Sequence, residues 1–484
     1  MLIKKLNDVY LHIETNDSLA QELSDYFTFE VPGFKYMPAY RNRMWDGKIR
    51  LFSKHTHQIY YGLLPHIEKF CKINSIKYTK EVDEENNIEK DDVDKFIKSL
   101  RPKSRGKDIA IRDYQSSCVE NAIRKHRGLF LSPTASGKSL IIYSLVRYYQ
   151  LLLNKQILIL VPTTSLVEQM ASDFIDYGWE EKYIHKVYSG HDKVTDKPVT
   201  ISTWQSLMKQ NKKFFAKYGC VIGDEAHTFK AKSLTSIMTK LEDCKYKFGF
   251  TGTLDGTQTH RFVLEGLFGQ VEKITTTKEL MDKKTLADLS INCILLKYPQ
   301  DTCKMIREYT YQEELDFLVN HEERNNFIVN LCKNLKGNTL CLYQLVEKHG
   351  SVLYDMMLRT INKKIFFVHG GVSTDDREQI RAITEKSKDG IIIASFGTFS
   401  TGINIRNLHN IIFASPTKSR IRSLQSIGRG LRLKDNKSGA KLFDIGDDLT
   451  YQNRKNFTLL HFQERINIYE GEEFKYNLDS VKLQ

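Results

Sequence analysis

The chain has 484 residues, more than one apolar core supports, because cores stop growing near roughly 250–300 residues and domains average about 100–150, so two to four domains are expected. Hydrophobic residues make up 41% and charged residues 27%, which excludes a disordered chain, and the net charge of +13 points to a polyanionic partner such as nucleic acid. Eight cysteines scattered singly exclude a disulfide framework and a structural zinc site, and the start MLIKKLNDVY has no apolar signal core, nor does any run approach the roughly 20 residues of a membrane span, so no membrane partner and a cytoplasmic location are expected.

Lys35 to Lys54 reads KYMPAYRNRMWDGKIRLFSK, six basic residues against one acid, interleaved with Tyr36, Tyr40, Trp45 and Phe52. Phosphate neutralisation by Arg41, Arg43, Lys48 and Arg50, with base stacking or wedge insertion by the rings, fits that mixture. The rings equally suit the core of a small α+β domain, with the charges a solvated face. Glu81 to Asp94 then holds eight acidic residues against one lysine, and RPKSRGK at Arg101 to Lys107 reverses the charge, which predicts a domain boundary near residue 105. The domains downstream of it should fold without residues 1–105.

From there short β-rich runs, Gly128 to Leu131, Gln156 to Val161, Val199 to Ser202, Cys220 to Ile222 and Lys247 to Phe250, alternate with helical periodicity, the pattern of a parallel α/β sheet. The first run leads into SPTASGKS, Ser132 to Ser139, and a helix-like stretch from Lys138 to Leu153 leaves it. That strand-loop-helix setting is the context of a P-loop, although Ser132 replaces the first glycine of the G-x-x-x-x-G-K-[ST] pattern. Ser136 and Gly137 bring backbone N–H groups close to phosphate, Lys138 reaches the β/γ-phosphates, and Ser139 joins a Mg2+ shell at a helix N-terminus. Asp224-Glu225-Ala226-His227 ends the Cys220 to Ile222 run, where carboxylates face the P-loop crevice. Asp224 is expected to hold Mg2+ and Glu225 to orient the attacking water; His227 is a coupling candidate that equally suits a packed core. ATP and Mg2+ are the expected cofactors.

A second alternation begins after about residue 285, with strand candidates Thr339 to Tyr343, Lys364 to Val368, Gly390 to Ala394, Asn410 to Ala414 and Lys441 to Phe443. The tail from Thr450 to Gln484 mixes helical and polar character, and its role is not legible.

Residues 108 to 445 resemble superfamily 2 helicases, with the family's motifs in order. IRDYQ at Ile111 to Gln115 resembles the adenine-reading element, with Arg112 and Gln115 toward the nucleotide. LVPTTSLVEQ at Leu160 to Gln169 and STWQSL at Ser202 to Leu207 resemble motifs Ia and Ib. Thr251-Gly252-Thr253 resembles motif III, the coupling element, and Phe367 to Gly370 resembles motif IV. SFGTFSTGINI at Ser395 to Ile405 resembles motif V, with Asn404 where many members carry Asp. QSIGRGLR at Gln425 to Arg432 resembles motif VI, in which Gln425, Arg429 and Arg432 are catalytic; the two arginines, three apart on one helical face, can reach a γ-phosphate from the second domain. Thr163, Thr203, Gln205, Thr401 and Gly402 are the strand-gripping candidates, suited to phosphate rather than bases, and each hydroxyl equally suits a helix cap.

The resemblance implies an α/β fold of two tandem RecA-like domains, 106–285 and 286–484, preceded by a small α+β nucleic-acid-binding domain, 1–105. Within the family the chain most resembles the recombination and repair helicases of T-even phages. That likeness implies a monomeric enzyme acting in a host cytoplasm, with 3′-to-5′ translocation on DNA and remodelling of single-stranded and branched DNA, namely forks, Holliday junctions, D-loops and RNA–DNA hybrids in R-loops. A duplex translocase that leaves the strands paired, and a non-catalytic annealing or scaffold protein, are the alternatives. The intact Lys138, Asp224, Glu225 and Arg429 speak against the second.

Overall fold

A computed structural model describes residues 1–188, 190–228, 231–254, 257–402, 405, 407–416, 427, 428, 431 and 439–483. The side chains of 231, 232, 374 and 400–402 are outside that description. Contacts divide the chain into two units, Met1–Ser132 with Gly137–Thr275, and Pro133–Ser136 with Thr276–Gln484.

The first unit holds a seven-stranded sheet whose order is Ile184–Val187, Val199–Thr203, Gln156–Val161, Tyr218–Gly223, Tyr246–Thr251, Arg127–Leu131, Val271–Lys273. Every pairing is parallel. Parallel strands need crossovers, and the intervening helices bury both faces, which is why the central strands read as unbroken apolar runs such as Ile157 to Val161. The same parallel order sends the segments that follow Leu131, Val161, Thr203, Gly223 and Thr251 to one carboxyl edge, so residues far apart in sequence share one rim.

Ahead of it stands a five-stranded sheet, ordered Phe52–Ser53, Gln58–Tyr60, Tyr10–Glu14, Leu2–Lys5, Thr79–Glu81, covered by helices Asp17–Tyr26 and Leu64–Ile73. A separate antiparallel ribbon pairs Thr28–Glu30 with Lys48–Arg50. This module shares one apolar cluster with the seven-stranded sheet's domain: Ile3, Leu11, Phe27, Leu63 and Ile67 belong to the same core as Leu129, Val263, Leu264, Leu267 and Phe268. The contact is close enough that a Cβ on Gly62 would sit 2.0 Å from the Glu265 carbonyl oxygen. Arg127, which opens the strand leading to the P-loop, stacks 3.8 Å from the Tyr61 ring centroid and donates to the Asp8 carbonyl at 3.3 Å. His66 Nε2 lies 2.8 Å from the fully buried Glu265. Burial works to raise the Glu265 carboxyl, but the hydrogen bonds from His66 and the Val271 N–H outweigh it and hold the group below its ordinary range. Residues 1–105 are thus packed against the domain that follows, a shared core that their polar boundary does not announce.

The second unit repeats the all-parallel plan, ordered Lys364–Val368, Gly390–Ser395, Thr339–Tyr343, Asn410–Phe413, Gly439–Asp448, Asp288–Lys297, Tyr476–Lys482. Its last strand and the helix Phe457–Gly471 come from the tail, which is therefore part of the domain. Buried ion pairs fix that helix and its neighbours. Arg465 binds Asp444 at 2.8 Å and Arg324 binds Asp447 at 2.8 Å, all four side chains without solvent exposure. All eight cysteines are buried and reduced. Among the described residues no helix is long and apolar enough to cross a membrane.

Candidate nucleotide and nucleic-acid sites

The phosphate loop departs from the strand Arg127–Leu131 at Ser132, whose N–H donates to the Thr251 carbonyl at 2.9 Å. Ala135 and Gly137 both take left-handed backbone, φ +68° and +84°, which turns the chain sharply into the helix Lys138–Leu152. Glycine is required at 137 for space as well: a Cβ there would lie 2.4 Å from Gln115 Nε2. The free N–H groups of a 15-residue helix and its positive end face the loop, the arrangement that receives phosphate.

Gln115 is buried, its Oε1 accepts from the Arg112 N–H at 2.9 Å, and its Nε2 lies 3.5 Å from the Gly137 carbonyl. It caps its own helix while touching the phosphate loop, so the segment expected to read a base is physically joined to the segment expected to hold phosphate. Arg112 is exposed and donates to the Tyr114 hydroxyl at 2.8 Å.

Asp224 and Glu225 leave the neighbouring strand Tyr218–Gly223 at the same edge. Lys138 Nζ meets Glu225 Oε1 at 2.9 Å, with both side chains mostly buried. Asp224 is anchored by its N–H to the Leu160 carbonyl at 2.9 Å, and its Oδ1 accepts from the Glu225 N–H at 2.9 Å. Burial pushes the Asp224 carboxyl up to about 6; Lys138 opposes the shift and Glu225 adds to it. A buried carboxylate whose charge its surroundings oppose suits a bound cation. A carboxylate and a hydroxyl such as that of Ser139 are hard-oxygen donors of the kind Mg2+ takes beside phosphates and water, so the chemistry of these residues suits that ion. Glu225 itself has φ +50°, uncommon for a side chain of its size, and such strain is retained where the surroundings hold a residue for a purpose.

His227 is buried and connects this acidic pair to the next strand. Its Nδ1 lies 3.5 Å from Glu225 Oε2 and 2.5 Å from Thr251 Oγ1, while Thr251 Oγ1 donates to the Thr253 carbonyl at 2.8 Å. With the Thr251 hydroxyl proton directed at Thr253, the tautomer of His227 protonated at Nδ1 completes the contact with Thr251. Lys138, Glu225, His227, Thr251 and Thr253 therefore form one line of polar contacts. No local sequence signal marks the His227–Thr251 bond, because the strand Tyr246–Thr251 that supplies its second half is a separate element.

The strand-gripping candidates of the first domain gather along the other half of the rim. Thr163 caps the helix Thr164–Asp176, accepting from the Leu166 N–H, and Thr203 Oγ1 lies 2.8 Å from Ser206 Oγ. Gln205 is exposed and donates to the Pro162 carbonyl at 3.2 Å, which ties the two loops together. Each hydroxyl thus has a structural partner, and the surface they share also presents the N-terminus of the Thr164–Asp176 helix. In the second unit Thr401 and Gly402 end the helix Phe396–Gly402. Gln425, Arg429 and Arg432 lie outside the described residues, as does Asn404.

In the N-terminal module Arg41, Arg43, Lys48 and Arg50 are all exposed, and Arg50 pairs with Asp46. The aromatic residues divide. Phe52 is core, Tyr40 stacks edge-on to Phe34 at 4.7 Å, Trp45 is half-buried with Nε1 donating to the Lys48 carbonyl, and Tyr36 is 79% exposed.

Comparison with known proteins finds matches along most of the chain. Residues 3–83 match the family described as DNA helicase UvsW, N-terminal; residues 108–256 match the type III restriction enzyme res subunit, and residues 323–434 the helicase conserved C-terminal domain. The chain is 34% identical over 494 residues to the ATP-dependent DNA helicase uvsW of Enterobacteria phage T4, covering 98% of each. It is 25% identical to the DNA 3'-5' translocase XPB2 of Sulfurisphaera tokodaii over 68% of this chain and 80% of that one. The crystal structure of T4 UvsW superposes with a TM-score of 0.55 at 32% identity, covering 100% of this chain and 99% of that chain. Similarity of that extent, running through the N-terminal module and both parallel sheets, makes this chain a member of the UvsW family of ATP-dependent superfamily 2 DNA helicases.

Proposed function

We propose that the chain converts ATP hydrolysis into 3′-to-5′ movement along DNA and uses it to unwind or branch-migrate forks, Holliday junctions, D-loops and R-loops. The single observation that carries the motor part is the continuous contact from Lys138 through Glu225 and His227 to Thr251 and Thr253. Lys138 would exchange Glu225 for the terminal phosphates, leaving that carboxylate free to orient a water. Ser139 and Asp224 would hold Mg2+, which supplies charge neutralisation at the transferring phosphoryl group. Any shift of Glu225 reaches Thr251 through His227, and Gln425, Arg429 and Arg432 would contribute from the second domain, so that hydrolysis depends on closure.

Thr163, Thr203, Gln205, Thr401 and Gly402 would grip one strand by its phosphates, independent of sequence. The domain limits of this reading are 1–105, 106–285 and 286–484, with the first adding duplex or branch contacts through Arg41, Arg43, Lys48 and Arg50. Such a machine would work as a monomer in the cytoplasm of a host cell. The test is ATPase rate and strand displacement with single-stranded, duplex, forked and four-way DNA and with RNA, side by side with Lys138→Ala. ATP turnover stimulated by DNA and lost by at least about 100-fold in Lys138→Ala is expected, with DNA affinity retained. Near-normal hydrolysis by that variant would refute the assignment of the phosphate site, and turnover without strand displacement would favour a duplex translocase.

A further inference from the structure

The ribbon Thr28–Glu30 and Lys48–Arg50 carries residues 31–47 as a folded knob. Val31 N–H donates to the Gly47 carbonyl and Met44 N–H to the Ala39 carbonyl, each at 2.9 Å. The Phe34 ring covers Gly47, where a Cβ would lie 2.2 Å from it, and Tyr40 packs edge-on against Phe34. The knob therefore has its own small core, yet it holds two large apolar side chains out in solvent. Tyr36 and Met44 are each 79% exposed, and Met37 is 38% exposed. Around them Lys35, Arg41 and Arg43 are exposed as well, and no acidic residue occurs between Val31 and Trp45.

The knob is fastened to the motor rather than hung from it. Thr259 Oγ1 donates to the Glu30 carbonyl at 3.1 Å, and Phe29 packs on Phe262 at 4.7 Å between centroids. Thr259 and Phe262 belong to the helix Gln258–Phe268, the next helix along the chain after the Thr251–Thr253 segment that His227 contacts.

We propose that the knob enters a DNA branch, with Tyr36 and Met44 against the exposed face of the last base pair and Lys35, Arg41 and Arg43 on the two diverging phosphate backbones. The end of a duplex at a branch is a flat apolar surface with anionic strands leaving on both sides. An apolar centre with cationic flanks, whose one acid, Asp46, lies at the base and is paired with Arg50, is its complement, whereas the sugar-phosphate wall of a continuous duplex offers nothing for exposed Tyr and Met to cover. Because the ribbon's base is bonded to the helix that comes after the coupling segment, the knob is carried by the body that senses nucleotide. This inference rests on the branched-DNA reading above and names the site where the branch is met.

The test uses the full chain on a forked duplex. The readout is base pairs opened per ATP hydrolysed, which corrects for any change in turnover. The double variant Tyr36→Ser/Met44→Ser should lower that ratio by about tenfold or more, and Tyr36→Phe should keep it, since the ring face and not the hydroxyl does the stacking. In a second arm the Tyr36→Trp variant should lose fluorescence on binding a fork and not on binding a continuous duplex. An unchanged ratio in the double variant, or the same emission on both DNAs, overturns the inference alone. Failure of the unaltered chain to open or bind forks overturns the branched-DNA reading and this inference with it. A protein partner in place of DNA would show as Tyr36→Trp emission indifferent to every DNA, which also counts against the proposal.

Discussion

His227 shows why a single buried hydrogen bond can matter more than its own energy. Its imidazole lies between Glu225 and Thr251, so its removal leaves the carboxylate proposed to orient water and the segment proposed to couple both in place but no longer in contact. His227→Ala is expected to keep most ATP turnover while base pairs opened per ATP fall by about tenfold, a split between chemistry and coupling. Equal loss of both in a side-by-side ATPase and strand-displacement assay would make His227 part of the chemistry itself. The motifs formed by neighbouring residues in the chain, Gly137 with Lys138 and Asp224 with Glu225, could be picked out because each is local. The bonds joining motifs were not, since His227 and Thr251, or Gln115 and Gly137, meet only after the parallel strands bring their ends to one rim.

At the scale of elements, the buried central strands such as Gln156–Val161 and Thr339–Tyr343 stood out as short apolar runs, as fully buried parallel strands do. Lys364–Val368 was also picked out at an edge, but several other strands at or near the sheet edges were not. Ile184–Val187 and Tyr476–Lys482 mix polar and apolar residues because one or both faces meet water, and Asp288–Lys297 alternates its burial. The ion pairs Arg324–Asp447 and Arg465–Asp444 were equally silent, each charge looking like any surface charge until its partner is known. The docking of the N-terminal module was hidden by its acidic, polar boundary, and it changes one expectation. A chain beginning at residue 106 bares the helix carrying Val263, Leu264, Leu267 and Phe268, and at about 2 kcal/mol per side chain it should melt well below the full chain. Equal melting temperatures for the two would show that the shared core is dispensable.

A second element-scale prediction concerns the strand Asn410–Phe413, after which Ala414 and Ser415 are clamped: Arg324 donates to the Ala414 carbonyl at 2.8 Å, and His349 Nδ1 lies 2.7 Å from Ser415 Oγ. Burial pushes the His349 imidazole down to about 3, with the Arg324 charge adding to the effect. Between the ordinary value of 6.5 and that depressed one, the unfolded chain binds a proton that the folded chain refuses. Stability therefore falls as pH drops below about 6.5, by about 1.4 kcal/mol per pH unit for this group alone. His126, pushed down to about 4 chiefly by burial, adds the same sign in the first unit. Denaturant midpoints of the His349→Gln variant should depend less steeply on pH than those of the unaltered chain, and identical slopes would remove His349 from the account.

Across the whole molecule the net charge of +13 is spread over two units, so it cannot by itself say where DNA lies. Reversal of Arg41, Arg43, Lys48 and Arg50 to glutamate localises it. Arg50 is paired with Asp46, which leaves three unengaged cations, so the plot of log affinity for a junction against log salt should flatten by about 3 units rather than 4. An unchanged slope in a variant with normal circular dichroism would make this face a solvated one and assign junction binding to the motor domains. The eight buried cysteines are distributed in the same global way, Cys71 in the N-terminal module, Cys118, Cys220 and Cys244 around the first sheet, and Cys293, Cys303, Cys332 and Cys341 around the second. Burial raises the thiols of Cys118, Cys220 and Cys293, the hydrogen bond with Cys341 and then burial raise that of Cys332, and both withhold the nucleophilic thiolate. The folded chain is in effect masked against maleimides: a dye can be attached to one cysteine introduced on the surface without stripping the native ones, and each native thiol that does react reports the moment its own region has come apart.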